Sequence, residues 1–139
     1  MLLFDNSAWA HLNSGRLDDE RRAEILDWMA RGVIATCMPF LLDAGYSAQS
    51  AADHRTMMAD FDRLARIPIT PEVEERALQA QRELAAVGHH RLAPLDIVIA
   101  ACAHEAGAGV LHYDRDYDIL AARTTLDFNS EWVASPGSL

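Results

Sequence analysis

MLLF (residues 1–4), VIATC (33–37), IPIT (67–70) and GVLHY (109–113) are four short apolar runs set between stretches of helical periodicity. That alternation constrains the fold more than any other feature of the chain. A short apolar run without polar alternation suits a strand buried on both faces. Strands separated by helices cannot close as hairpins, so the crossovers make neighbours parallel and lay helices over the sheet. The expectation is an α/β domain whose parallel sheet is covered on both faces. In such sheets, function collects beyond the carboxyl ends of the strands.

The helical stretches carry their own punctuation. NSAWAHL continues from the first run. Asp18, Asp19 and Glu20 crowd the start of a helix over 18–31, where the dipole favours acids. Ile25, Trp28 and Met29 form its apolar stripe, and Gly32 closes it. Pro39 opens a third helix, since its missing N–H costs nothing there. A fourth, over 52–66, carries Met57, Met58, Phe61, Leu64 and Ala65. Thr70 and Pro71 start a fifth that ends at Gly88. HHRLAP (89–94) is a loop, and LDIVIAACAHEAG is a sixth helix. A short helix follows Asp116, with Ile119, Leu120 and Ala122 facing inward. LDF and EWV are expected as a short strand each, and residues 135–139 as a frayed tail. The 139 residues fit a single domain spanning 1–139.

Composition narrows the function classes. Apolar residues make up 50% of the chain, a globular value. No apolar run approaches the roughly 20 residues of a membrane span. No basic stretch precedes the first apolar residues, as a signal peptide requires. A cytoplasmic protein with no membrane partner is expected. Cys37 and Cys102 lack CxxC spacing and read as buried thiols. A net charge of −9 argues against broad, non-specific nucleic-acid binding. It leaves open a site where cations supply the positive charge. All 12 basic residues are arginine, whose planar fork suits phosphate. Genome base composition accounts for that bias equally well.

The acids sort by position. Asp5 stands directly after the first apolar run, Asp114 directly after the fourth, and Asp116 in the turn beyond. Asp43, within PFLLDAGY, and Asp96, within APLDIVIAAC, break apolar patterns. An unpaired charge in such surroundings is costly. Each acid has a plain structural alternative. Asp5 and Asp96 could serve helix N-termini, Asp43 could face solvent, and Asp114, Asp116 and Asp118 could be turn residues. Taken together, acids converging from several elements would repel one another without a cation. All-oxygen donors suit Mg2+ or Mn2+. A calcium loop beginning at Asp114 is excluded, because its sixth and twelfth places need glycine and glutamate and hold Ile119 and Thr125. An aspartyl phosphatase would need a second acid near Asp5, which Asn6 and Ser7 follow instead.

LLFDNSAW, CMPFLLDAGYSA, APLDIVIAACA and LHYDRDYDIL, in that order, resemble the acidic motifs of PIN-domain ribonucleases, and most closely those of VapC-like toxins of bacterial toxin–antitoxin pairs. The resemblance covers nearly the whole chain. It implies a three-layer α/β/α domain with a central parallel sheet of four to five strands. It also implies an endoribonuclease using one or two Mg2+ or Mn2+ ions. Asp5, Asp96, Asp114 and Asp116 are then the metal-site acids and, with Asp43, the catalytic set. Asp43 stands where the family usually has glutamate, and His112 where it often has threonine or serine. Ser7 is placed to offer a hydroxyl, and Asp118 lies beyond the matched acids. The implied chemistry is attack by activated water on an RNA phosphodiester, with the 3′ oxygen leaving.

The same resemblance implies an RNA substrate, a homodimer, and a protein antitoxin whose tail covers the acidic pocket. Tyr46, Met57 and Phe61 are candidate interface residues, with core packing as the alternative for each. Arg91 and Arg115 flank acidic motifs and could touch phosphate, as could His89 and His90. Two other readings stay open at this level. One is a PIN fold that binds without cutting, and the other is a phosphatase or DNA nuclease built on the same acids.

Overall fold

Every strand pairing in the computed structural model, which describes residues 1–89 and 91–139, is parallel. Among the described residues the chain order is β1 (Leu2–Phe4), α1 (Asn6–Leu12), α2 (Asp19–Ala30), β2 (Ile34–Cys37), α3 (Met38–Tyr46), α4 (Ala51–Phe61), β3 (Ala65–Ile67), α5 (Pro71–Ala86), α6 (Pro94–Ala106), β4 (Gly109–His112), α7 (Asp116–Arg123) and β5 (Ser130–Trp132). The strands form one sheet in the order β3-β2-β1-β4-β5. All four residues of β2 and all four of β4 are buried, as apolar runs without alternation require.

The strand order matters for function. From β1 the chain builds outward through β2 to β3, then returns to the other side of β1 to lay down β4 and β5. The order therefore reverses between β1 and β4, whose register pairs Leu2 with Gly109 and Phe4 with Leu111. A crevice opens at the carboxyl ends of two strands whose connections depart in opposite directions, and ligands bind at such switch points. Asp5 follows β1 there, and Asp114 lies two residues past β4. The close approach of the strands explains Gly109. A Cβ at that position would meet Asn129 O at 2.7 Å and Leu2 Cδ2 at 2.8 Å.

The core is aromatic where α1, α3 and α4 meet the sheet. Phe4, Trp9, Phe40 and Phe61 pack edge-to-face or stacked, with ring centroids 4.9–6.0 Å apart. Phe61 is 2% exposed and belongs to this cluster, so it is not an interface residue. Met57 packs against the same core, whereas Tyr46 is 91% exposed. Helix α6 lies against β1 and β4 and touches α3, α5 and α7, which places its first turn beside the crevice. Cys37 and Cys102 are buried free thiols. No helix is long and apolar enough to cross a membrane among the described residues.

Several boundaries differ from the sequence reading. The third strand is Ala65–Ile67 and not 67–70, and α4 ends at Phe61. β3 is an edge strand with one partner, so it needs no apolar run. Its exposed Arg66 pairs with Asp62 at 3.3 Å, a spacing that reads as helix in the sequence. Pro68 offers no N–H and stops the ladder. LDF forms no strand, although Leu126 is buried, and β5 is built from Ser130–Trp132. Ala122 is exposed, and the inward positions of α7 are Tyr117 and Leu120. The tail is folded back: the Leu139 N–H donates to the Tyr113 hydroxyl at 2.9 Å, and the Leu139 side chain packs on the core. His90 lies outside the described residues.

Candidate active site

One carboxylate oxygen from each of Asp96, Asp114 and Asp116 lies within 4.8 Å of the others. The three come from two places. Asp96 sits in the first turn of α6, whose N-terminus has Pro94 and no side-chain cap. Asp114 and Asp116 occupy the turn from β4 into α7. The Asp116 backbone N–H donates to Asp114 Oδ1 at 2.9 Å, which fixes the Asp114 side chain against the start of α7.

Asp5 stands behind this trio, 4% exposed. It caps α1, with Oδ2 accepting from the Ser7 N–H at 2.9 Å and from the Ser7 hydroxyl. The Ser7 oxygen in turn accepts from the Tyr113 N–H at 2.8 Å, so Ser7 ties α1 to the end of β4. Asp5 lies outside the converging trio, and its other oxygen, Oδ1, faces the Tyr117 hydroxyl.

Tyr117 joins the two parts. Its hydroxyl donates to Asp5 Oδ1 at 2.7 Å and lies 3.3 Å from Asp96 Oδ1. A phenol has one proton to give, and the shorter contact takes it. The ring is fully buried, and burial next to two carboxylates pushes its ionisation far above the usual tyrosine range. Tyr117 therefore stays a neutral donor that holds Asp5, with its oxygen between Asp5 and Asp96. The sequence reading passed over it. An aromatic three residues before Leu120 reads as core, and only its hydroxyl, aimed at two acids, shows the second role.

The electrostatics are those of crowded acids. Burial, then the charges of Asp5, Asp114 and Asp116, push the Asp96 carboxyl from its ordinary 3.8 up to about 7. Burial and Asp114 raise Asp116. Burial and Asp5 raise Asp43. Asp43 is half-buried and within electrostatic reach of Asp5, yet it stands outside the Asp96–Asp114–Asp116 trio. Oxygens sharing one hard cation lie up to about 4.2 Å apart for bonds of about 2.1 Å, so small side-chain rotations bring the trio into range. The donor set, all carboxylate oxygens, fits a hard divalent cation.

The remaining candidates stand further out. Asp118 faces away from the trio. It accepts from the Ser130 hydroxyl at 2.7 Å and from Trp132 Nε1 at 3.0 Å, clipping α7 to β5. Arg91 and Arg115 are exposed and form none of the ion pairs found among the described residues. They border the acidic crevice in sequence and remain available to an anion.

Residues 2–123 match the PIN domain family. Ribonuclease VapC18 of Mycobacterium tuberculosis (strain ATCC 25618 / H37Rv) is 41% identical over 141 residues, spanning 97% of this chain and 96% of the relative. Ribonuclease VapC21 of the same strain is 39% identical, spanning 98% and 96%. Among solved structures, DNA-bound VapBC from Salmonella typhimurium superposes with a TM-score of 0.72 at 20% identity, over 96% of this chain and 100% of that one. That last likeness is one of fold.

Proposed function

The chain belongs to the PIN domain family, and from that premise we propose that it is a metal-dependent endoribonuclease, the toxin of a toxin–antitoxin pair. The observation that carries the reading is the convergence of Asp96, Asp114 and Asp116 at the β1/β4 switch point, with Asp5 locked behind them. RNA is the substrate because relatives aligned over almost the whole chain are named ribonucleases. A toxin acting on cellular RNA would work in the cytoplasm.

Asp96, Asp114 and Asp116 would hold Mg2+ or Mn2+, with Asp5 completing the acidic set and Asp43 at its edge. Such an ion supplies positive charge at the scissile phosphate and makes water a nucleophile near neutral pH. The chain's own residues do the positioning. Tyr117 holds Asp5 in place beside Asp96. Ser7 binds Asp5 and the end of β4, so the two strand ends move together. The nested turn through Asp114 and Asp116 presents both carboxylates on one side. Water attacks phosphorus, and the 3′ oxygen leaves. Arg91 and Arg115, which flank the acidic motifs in sequence, offer phosphate contacts in a chain of net charge −9.

The likeness to VapBC structures supports an antitoxin partner, and the family resemblance implies that its tail covers the acidic crevice and that the chain is a homodimer. The test compares one sequence as RNA and as DNA, incubated with Mg2+, with Mn2+ and with a chelator. Cutting of RNA alone, and only with metal, supports the proposal. Equal cutting of DNA, or cutting in chelator, overturns it.

A further inference from the structure

The β4–α7 turn is built from two nested side-chain-to-backbone bonds. The Asp116 N–H donates to Asp114 Oδ1, and one step earlier the Asp114 N–H donates to His112 Nδ1 at 3.1 Å. Aspartate, asparagine, serine and threonine commonly cap the amide two residues ahead in this way. Histidine is a rarer choice, and it brings something those residues lack: a second nitrogen. His112 Nε2 lies 2.7 Å from the Ser130 hydroxyl, which donates to Asp118 Oδ1 at 2.7 Å.

The proton directions along this chain are forced from both ends. A backbone N–H only donates, so Nδ1 accepts and carries no proton. At the other end, the hydroxyl gives its proton to the Asp118 carboxylate, so Ser130 Oγ accepts from Nε2–H. Both constraints give the same neutral tautomer. Trp132 Nε1 occupies the other Asp118 oxygen, which keeps that carboxylate in place. The imidazole is fully buried between the rings of Tyr117 and Trp132, at 4.8 and 4.9 Å between centroids. It cannot turn without breaking the chain.

We propose that His112 is a positioning residue for the acidic centre. Held as the Nε2–H tautomer by Ser130 and Asp118, it accepts the Asp114 amide and so sets where the Asp114 and Asp116 carboxylates stand. This rests on the reading of those two acids as metal ligands. It gives Asp118 a role through Ser130 and His112, and it connects β5 to the acidic centre.

The test has two parts on the full chain. Ring nitrogen NMR of chelator-treated wild-type protein should show Nδ1 bare and Nε2 protonated; the opposite tautomer overturns the proposal. The second part measures Mn2+ binding by calorimetry in His112→Asn and His112→Gln. Asparagine puts an oxygen where Nδ1 accepts, while glutamine reaches toward Ser130 and gives up the acceptor. His112→Asn should stay within about threefold of wild type, and His112→Gln should weaken Mn2+ binding about 10–100-fold, the usual cost of losing an outer-sphere partner. Thermal melts run alongside separate a misfolded variant from a misplaced ligand. Equal losses in the two variants, tracking their loss of melting temperature, reduce His112 to packing and overturn the proposal. A wild-type protein that binds no Mn2+ overturns the metal reading itself, a result distinct from equal losses in the variants.

Discussion

Replacing Asp96 with asparagine should stabilise the metal-free protein and abolish its function. The Asp96 carboxyl moves from an ordinary 3.8 in the unfolded chain to about 7 in the folded one. A raised carboxyl means that the folded state holds a proton the unfolded chain has released. Stability from this group is therefore highest near pH 4, falls as pH rises toward 7, and stays at its lowest above 7. The 3.2 units between those values correspond to about 4 kcal/mol as a ceiling. Asp96 is only partly buried, so solvent screening reduces this to roughly 2 kcal/mol. For a chain of this length that is about 7 °C in Tm. The assay is a set of thermal melts in chelator, wild type against Asp96→Asn, from pH 4 to pH 8. The variant should melt several degrees higher at pH 8 and at the same temperature near pH 4. Saturating Mn2+ should then raise the wild type and leave the variant unmoved. A variant that melts below wild type at pH 8, or whose advantage does not depend on pH, would refute the reasoning that like charges crowd this carboxyl.

Tyr117→Phe leaves Asp5 Oδ1 without its donor and should cost about 1–3 kcal/mol in denaturant unfolding, with RNA cleavage falling at least tenfold. An unchanged cleavage rate would make the hydroxyl a bystander. Gly109→Ala pushes a methyl into Asn129 O and Leu2 Cδ2 and should destabilise by about 1–3 kcal/mol, read by chemical melts. Asp43→Glu, which lengthens a carboxylate outside the trio, should keep or raise cleavage, while Asp43→Asn should lower it. Equal cleavage by both would remove Asp43 from the site.

What was legible in the sequence was whatever a single element decides. β1, β2 and β4 are buried on both faces, so their apolar runs announce them. β3 was misplaced because an edge strand owes nothing to apolarity, and Arg66 with Asp62 mimics a helical pair. Asp5, Asp96, Asp114 and Asp116 were legible because each puts a charge where an apolar or strand-end environment makes it costly. Tyr117 was not, because a core aromatic and a core aromatic with a working hydroxyl look alike until the fold brings two acids to it. Asp118, beyond the matched acids, is opaque in sequence for the same reason. Its partners Ser130 and Trp132 arrive only when β5 docks beside β4. Phe61 was weighed for a surface role, and its burial depends on Trp9 and Phe40 from other helices.

The central claim is that water, activated at the Asp96–Asp114–Asp116 site, opens the RNA backbone with the 3′ oxygen leaving. Analysis of product ends after cleavage in Mg2+ tests it most directly. The account predicts 5′-phosphate and 3′-hydroxyl termini, formed by wild type and absent with Asp96→Asn. Products ending in a 2′,3′-cyclic phosphate and a 5′-hydroxyl would mean that the RNA's own 2′-OH attacked, and would contradict it.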